Sequence, residues 1–283
     1  MRVVHTAAEL AADAGGVFVP TMGALHAGHA SLVSQAAHAA AGQRPVIVSI
    51  FVNPTQFNDA SDFARYPKTL DADLSLCERA GATVVLVPSV GEVYAQNNLA
   101  IGGVVLGLIH FPAVAGQPQL EDALRPGHFA GVCQVVSRLF DMVRPAEAIF
   151  GQKDWQQLQV VRAMAKRTHP SIRITAGATV RESDGLAMSS RNRFLSTADR
   201  ARAPVGYAAL MAAQQEPTPA AAEAAMVEVL TAAGLGVQYA VVRDAETLLP
   251  LAMPTVRPAQ CLIACTLGTV RLIDNAPWLP TRA

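Results

Sequence analysis

Pro20-Thr21-Met22-Gly23-Ala24-Leu25-His26-Ala27-Gly28-His29 decides how the rest of this 283-residue chain is read. It follows a short apolar run, Val17-Phe18-Val19, and precedes an Ala-rich segment from Ala30 to Ala41. That order predicts strand, tight turn and helix. Gly23 permits a backbone shape that a side chain would obstruct. Gly28 carries no side chain, so a bulky ligand can lie against the main chain there. With a helix starting near Leu25, His26 and His29 share one face close to its N-terminus. That end carries free N–H groups and partial positive charge, and suits a phosphate. Imidazoles add donors that follow charge as it develops on phosphate oxygens. The pair also reads in two other ways. It could hold a metal, although no Cys/His/carboxylate cluster lies near in sequence to complete a site. It could equally be two surface residues at a helix start.

Size and composition set the frame. The length allows one large domain or two ordinary ones, and 51% hydrophobic residues supply a substantial core. With 22 basic and 22 acidic residues the formal net charge is zero. No basic excess points to nucleic acid and no block of like charge to a tail, so an anionic substrate is handled locally. Met1 to Leu10 mixes His5, Thr6 and Glu9 with apolar residues and does not read as a secretory signal. The apolar run Leu99 to Ile109 is too short for a bilayer, which needs about 20 residues. Cys77, Cys133, Cys261 and Cys265 lack C-x-x-C spacing. They are expected to be reduced, mostly buried thiols of a cytoplasmic protein.

Strand-like and helix-like stretches alternate through the first two-thirds. Pro45 to Val52 is continuous and β-branched, as a strand buried on both faces requires, and Asn53-Pro54 ends it. A polar loop over Thr55 to Lys68, a helix over about Thr69 to Ala80 and a strand over Thr83 to Val87 follow. Tyr94 to Pro118 has no clean periodicity. Arg125 to Phe129 reads as a loop, Gly131 to Val143 as a helix, and Ala146 to Phe150 as a strand. Gly151 to Asp154 reads as a turn, Trp155 to Thr168 as a helix, and Ile172 to Val180 as mostly strand. These βα units predict an α/β fold with a doubly wound parallel sheet, whose ligands bind beyond the carboxyl ends of the strands. Ala201 to Leu235 is Ala-rich and helical, broken by Pro217-Thr218-Pro219, and Val237 to Val242 and Gln260 to Ile273 read as strands. The expected domains are therefore 1–179, and 180–283 as a smaller α+β domain.

Three further constellations carry chemistry. Lys153 lies just past a buried strand in a glycine-opened turn, where a cation can reach phosphate; an exposed loop lysine is the bland alternative. Asp154 could cap the following helix, and Gln156 and Gln157 could orient a small polar substrate. Gly185-Leu186-Ala187-Met188-Ser189-Ser190-Arg191-Asn192 places two hydroxyls and a guanidinium in a row, a phosphate clamp; the serines could instead cap a helix. Asp184-Gly185 reads as a turn able to hinge that loop. Phe51-Val52-Asn53-Pro54-Thr55-Gln56-Phe57 combines apolar walls with Gln56, which suits a small, partly aliphatic substrate. Its phenylalanines could equally be plain core.

The His26-Ala27-Gly28-His29 spacing resembles the nucleotide-binding signature of the α/β superfamily of adenylate-forming and nucleotidyl-transferring enzymes. Met188 to Arg191 resembles its accompanying phosphate loop. Five segments stand in order, Pro20 to His29, Phe51 to Phe57, Arg125 to Val132, Gly151 to Gln157, and Asp184 to Arg193. Together, and over nearly the whole chain, they resemble the pantothenate synthetases (pantoate–β-alanine ligases). The resemblance implies a Rossmann-like fold and condensation of pantoate with β-alanine, using ATP and Mg²⁺. Pantoyl adenylate is the intermediate, and AMP and pyrophosphate leave. It implies an ATP site of Met22, Gly23, Ala24, Leu25, His26, Ala27, Gly28 and His29. Gly151, Gln152, Lys153, Asp154, Val180, Met188, Ser189, Ser190 and Arg191 complete it, with His26, His29 and Lys153 as the catalytic set. Gln56 and Gln157 match the pantoate pair, Gln56 also near β-alanine. Phe51, Asn53, Arg125 and His128 join the substrate site, and Asp73 helps the metal through water.

The resemblance further implies a cytoplasmic homodimer whose C-terminal domain closes over the site, with neither nucleic acid nor membrane as partner. Two departures stand out. Gln152 replaces the family's common Glu, and 96–119 is unusually apolar where the family places its site cover and dimer contact. Two rival readings share the histidines: a nucleotidyltransferase that leaves AMP on its product, and a non-catalytic ATP-binding protein.

Overall fold

β-Branched and aromatic runs, buried on both faces in the inner strands Val17–Thr21, Val46–Ile50 and Val84–Leu86, build the central sheet. The computed structural model describes residues 1–56, 63, 67, 69–94, 111–251 and 257–279. Two compact units divide it, Met1–Gln152 with Gln156–Ala178, and Lys153–Trp155 with Thr179–Ala283. The first holds six strands, β1 (Arg2–Val4), β2 (Val17–Thr21), β3 (Val46–Ile50), β4 (Val84–Leu86), β5 (Glu147–Gly151) and β6 (Arg173–Gly177). They lie in the order β1-β4-β3-β2-β5-β6 with every neighbouring pair parallel. This is the expected doubly wound α/β sheet. The chain winds from β2 outward through β3 to β4, then resumes on the other side of β2 with β5 and β6. The order thus reverses between β2 and β5, and ligands of such sheets bind beyond the strand ends at that reversal. β2 runs directly into Met22, and β5 ends at Gly151.

Helix α1 (Ala27–Ala40) crosses from β2 to β3. Its Val33, Ala36 and Ala40 fall at helical spacing and pack into one cluster with Val19, Val48 and Ile149. It begins at Ala27 rather than near Leu25, because His26 already takes an extended backbone as N-cap. The loop expected over Arg125 to Phe129 is shorter than that. His128 opens a helix that runs to Val143, with Gly127 in the left-handed region just before it. The strand expected to reach Val180 ends at Gly177.

The second unit carries an antiparallel sheet in the order β7-β8-β9, formed by Gly236–Asp244, Ala259–Leu267 and Val270–Trp278. Helices Val205–Ala213 and Pro219–Ala232 supply Leu210, Met226 and Leu230 to a core shared with Cys261, Ile263 and Cys265 of β8. The break foreseen at Pro217 to Pro219 is a helix start, with Thr218 capping through its hydroxyl and Pro219 at the first helical position. Gln260 to Ile273 is not one strand. A two-residue turn at Gly268-Thr269 folds it into β8 and β9, with Leu267 opposite Val270.

All four cysteines are free and buried, as expected. No helix among the described residues is long and apolar enough to cross a membrane. The apolar run 99–109, Phe57 and most of the polar loop lie outside the described residues.

Candidate active site

The turn after β2 is shaped by a residue 49 positions beyond it. Gly23 (φ 80°) and Ala24 (φ 52°) both take left-handed backbone. Asp73, only 2% exposed on helix Leu70–Arg79, accepts the N–H of Ala24 on Oδ2 at 2.9 Å. Its Oδ1 accepts the N–H of Leu25 at 2.8 Å and the Thr69 hydroxyl at 3.2 Å. A Cβ added at Gly23 would sit 3.0 Å from Asp73 Oδ2 and 3.2 Å from Ile50 Cγ2, so glycine answers to space as well as φ. Asp73, expected beside a metal, is first of all the clamp that sets this turn.

His26 and His29 are brought together as a capping box. Gly28 N–H donates to His26 Nδ1 at 3.1 Å, and His26 N–H donates to His29 Nδ1 at 3.3 Å. A main-chain N–H can only donate, so both Nδ1 atoms are acceptors and each neutral ring carries its proton on Nε2. The ring centroids are 4.2 Å apart. The sequence placed the pair on one helix face; the structure makes them the N-cap and third residue of α1, with two N–H donors at its positive end.

Around Gln56 the first unit is a buried polar network. Tyr94 donates its hydroxyl to Asn53 Oδ1 at 2.6 Å, and Asn53 Nδ2 donates to Gln56 Oε1 at 3.1 Å and to the Gly131 carbonyl at 3.2 Å. An added Cβ at Gly131 would lie 2.6 Å from the Thr55 carbonyl oxygen, so only glycine admits this segment against the helix. Gln56 Nε2 faces Met22 Sδ at 2.8 Å. Arg125, which can only donate, meets His128 Nε2 at 2.9 Å; His128 Nδ1–H then donates to the Gln56 carbonyl at 3.1 Å. Arg125 and His128 thus brace Gln56. Phe51 is buried beside the Tyr94 ring. Gln156, weighed with Gln157 as a substrate orienter, is wholly used in structure. Its Nε2 donates to the Val114 carbonyl and to Asp122 Oδ1, and its Oε1 accepts the Glu121 N–H. Gln157 is half-buried on the same helix.

In the second unit, Lys153 lines a cavity with Ser189, Arg191, Asn192, Tyr207 and Arg271. Asn275 Nδ2 donates to the Lys153 carbonyl at 2.9 Å, fixing that loop through its main chain. Ser189 caps the short 3-10 turn Ser190–Phe194 by accepting the Arg191 N–H, and Arg191 lies on the cavity wall. Met188 N–H donates to the Val180 carbonyl at 2.9 Å. The Asp184-Gly185 turn is held on both sides, with Arg200 bridging Glu182 and Asp184 and Gly185 lying under Tyr207. The Arg200 hydrogen bond keeps the Asp184 carboxyl below its ordinary range. Cys265 also lines the cavity, but burial pushes its thiol up to about 11, so it is not a nucleophile at neutral pH.

Sequence reasoning missed Tyr94, Arg181, Asp274 and Asn275. Arg181 stacks 4.0 Å over Tyr207 and pairs with both oxygens of Asp274. The signal for the last two was legible: Asp274-Asn275 follows the apolar pair Leu272-Ile273 inside a strand, and both are buried. Among the described residues no group of three His, Cys, Asp or Glu could hold a metal ion.

A family model described as Pantoate-beta-alanine ligase matches residues 2–277. The pantothenate synthetase of Thiobacillus denitrificans is 46% identical over 284 residues, covering 97% of this chain and 96% of its own. The crystal structure of pantothenate synthetase from Thermus thermophilus is 42% identical. It has a TM-score of 0.87, with 99% of this chain and 100% of that one covered. A second solved structure is the pantoate-beta-alanine ligase from Francisella tularensis, complexed with beta-gamma ATP and beta-alanine. It is 30% identical with a TM-score of 0.75, covering 98% of this chain and 97% of its own.

Proposed function

Since the chain belongs to the pantoate-beta-alanine ligase family, we propose that it joins pantoate to β-alanine in two steps through a pantoyl adenylate. A carboxylate is a poor acyl donor because its leaving group is poor. In the first step a pantoate carboxylate oxygen bonds to the α-phosphorus of ATP, the bond to the β-phosphate bridging oxygen breaks, and pyrophosphate leaves. In the second the neutral amine of β-alanine bonds to the acyl carbon, the bond to AMP breaks, and the nitrogen sheds a proton.

The observation that carries this reading is the paired imidazole cap on α1, two Nε2–H donors at a positive helix end beyond the carboxyl end of β2. His26 and His29 stabilise charge on the α-phosphate and departing pyrophosphate, which fits their geometry as well as proton donation by His29 does. Lys153 neutralises phosphate charge, and Ser189, Ser190 and Arg191 bind phosphate oxygens. Met22 to Gly28, Gly151, Gln152, Asp154 and Met188 contact the nucleotide. Val180, whose carbonyl accepts the Met188 N–H, contacts base or ribose through its main chain. Gln56 and Gln157 bind pantoate, Gln56 also near β-alanine. Mg²⁺, when bound with ATP, would neutralise phosphate charge while keeping most of its waters and taking few protein ligands. Asp73, whose carboxylate keeps lone pairs beyond the two main-chain bonds and the Thr69 hydroxyl, would serve it through water.

The test is pyrophosphate release from ATP with pantoate, with and without β-alanine and with and without EDTA. Pyrophosphate with pantoate alone, AMP and pantothenate once β-alanine is added, and silence in EDTA are expected. Adenylylated product, or pyrophosphate that appears only when β-alanine is present, overturns the two-step reading. Gln157→Ala should raise the pantoate KM by about 10-fold or more, the worth of a hydrogen bond to a charged or polar ligand, with a smaller effect on ATP. Equal shifts for both substrates count against the pantoate role.

The homodimer and the cytoplasm complete the proposal. Four free, buried thiols fit a reducing compartment. Sedimentation should give twice the chain mass of 29.7 kDa; a single species of monomer mass rejects the dimer.

A further inference from the structure

We infer that Tyr94 is a positioning residue of the ligase, its hydroxyl setting Asn53 so that Asn53 holds Gln56 with the amide NH₂ presented to pantoate. The inference deepens the pantoate role proposed for Gln56 and rests on it.

The direction of the chain follows from groups with no choice of role. The Thr55 main-chain N–H, a donor only, meets Asn53 Oδ1 at 3.3 Å, and the Gly131 carbonyl, an acceptor only, meets Asn53 Nδ2 at 3.2 Å. These two contacts fix which end of the Asn53 amide is oxygen. Asn53 Nδ2 therefore donates to Gln56, and the Gln56 atom it meets at 3.1 Å is Oε1. Gln56 is left with Nε2 as its outward group, facing a thioether at 2.8 Å. Sulfur is a weak acceptor, so a substrate hydroxyl or carboxylate oxygen is the better partner for that NH₂. The bond that closes the chain is the Tyr94 hydroxyl to Asn53 Oδ1, at 2.6 Å the shortest in the network.

All the members are buried: Asn53 is 1% exposed, Thr55 2%, Tyr94 6% and Gln56 7%. A network out of water is strengthened by the low local dielectric, and a member left unsatisfied there is costly. Burial pushes the Tyr94 phenol up to about 12, against the hydrogen bonds with Thr55 and Asn53 that pull it down. The hydroxyl thus remains a donor throughout the neutral range. Tyr94 ends the short helix Val90–Tyr94, 41 positions from Asn53. It ties the Asn53 to Gln56 turn to a separate element, while His128 braces the same turn through the Gln56 carbonyl. The side chain and the main chain of Gln56 are thereby held independently.

Tyr94→Phe keeps the ring against Phe51 and removes only the oxygen. The expected result is a pantoate KM raised at least five-fold, an ATP KM within two-fold, and a melting temperature close to that of the parent. In a Gln56→Ala background the same substitution should add less than two-fold, because a residue acting through Gln56 has nothing left to position. A pantoate KM within two-fold in Tyr94→Phe overturns the inference. So do equal shifts for pantoate and ATP, or an undiminished effect in the Gln56→Ala background. Gln56→Ala alone separates the premise. If it leaves the pantoate KM unchanged, the pantoate role of Gln56 fails and takes the inference with it. If it raises that KM while Tyr94→Phe does not, the inference alone fails. Should Tyr94→Phe not fold, Asn53→Asp reads the same chain, since it still accepts from Tyr94 and Thr55 but cannot donate to Gln56. The pantoate-selective defect is expected again, and its absence overturns the relay.

Discussion

Lys153→Ala should lower pyrophosphate formation with pantoate by about 10²- to 10³-fold, the usual loss when one preorganised charge-stabilising donor is removed. Attack on the α-phosphate gathers negative charge on a group that already carries it, and an ammonium can answer that charge without a proton transfer. The fold should survive the change. The lysine loop is fastened by its carbonyl, which accepts from Asn275, so the ammonium contributes nothing to that anchor. Stability should shift by no more than about 0.5 kcal/mol, as for ordinary surface substitutions. Lys153→Arg should recover part of the rate, since it restores the charge with a different reach. Near-normal turnover in Lys153→Ala, measured by coupled pyrophosphate release, removes this residue from the mechanism.

His29→Glu should abolish turnover while leaving stability equal or higher. The third residue of a helix most often carries Glu or Gln in a capping box, and its carboxylate would accept the His26 N–H that His29 Nδ1 now accepts. A negative charge in the first turn also suits the helix dipole, by about 0.3–1 kcal/mol. The same charge would face incoming phosphate and replace an N–H donor with an acceptor. A loss of about 10³-fold or more in pyrophosphate formation is therefore expected with an undiminished melting temperature. His29→Ala would lose both the cap and the donor and could not separate them. If His29→Glu instead melts markedly earlier, the capping geometry is wrong; if it turns over normally, the phosphate role is wrong.

Much of this molecule was legible because its signals are local. Runs such as Val46-Ile47-Val48 announce buried parallel strands, and the passage from Val17 through Gly23 to His29 announces the strand, turn and helix that the structure shows. What escaped was set by partners distant in sequence. Asp73 reads as one acid among several at a helix start, and nothing local says that it holds Ala24 and Leu25. Tyr94 reads as the edge of an unpatterned segment. Gln156 and Gln157 are indistinguishable in sequence, yet burial commits the first to Glu121, Val114 and Asp122 and leaves the second half-buried. Two further misses, besides Asp274-Asn275, had visible signals. Gly268-Thr269 between apolar runs is a hairpin turn of the Gly-X type, and Gly127 before His128 opens a helix rather than prolonging a loop.

The clamp of Asp73 on the turn after β2 bears on any attempt to transplant this turn-and-helix motif. Ala24 and Leu25 are held by their peptide N–H groups, which every residue except proline carries. Those two bonds therefore ask nothing of the side chains, and identity matters only through the left-handed φ of Ala24, which disfavours branched residues. The information that bends it is stored in another helix. A chimera that receives residues 20–29 from this chain, but whose recipient lacks an aspartate at the equivalent of Asp73, would inherit the letters of the motif without its shape. Two left-handed residues would then have to be held without the carboxylate that holds them here.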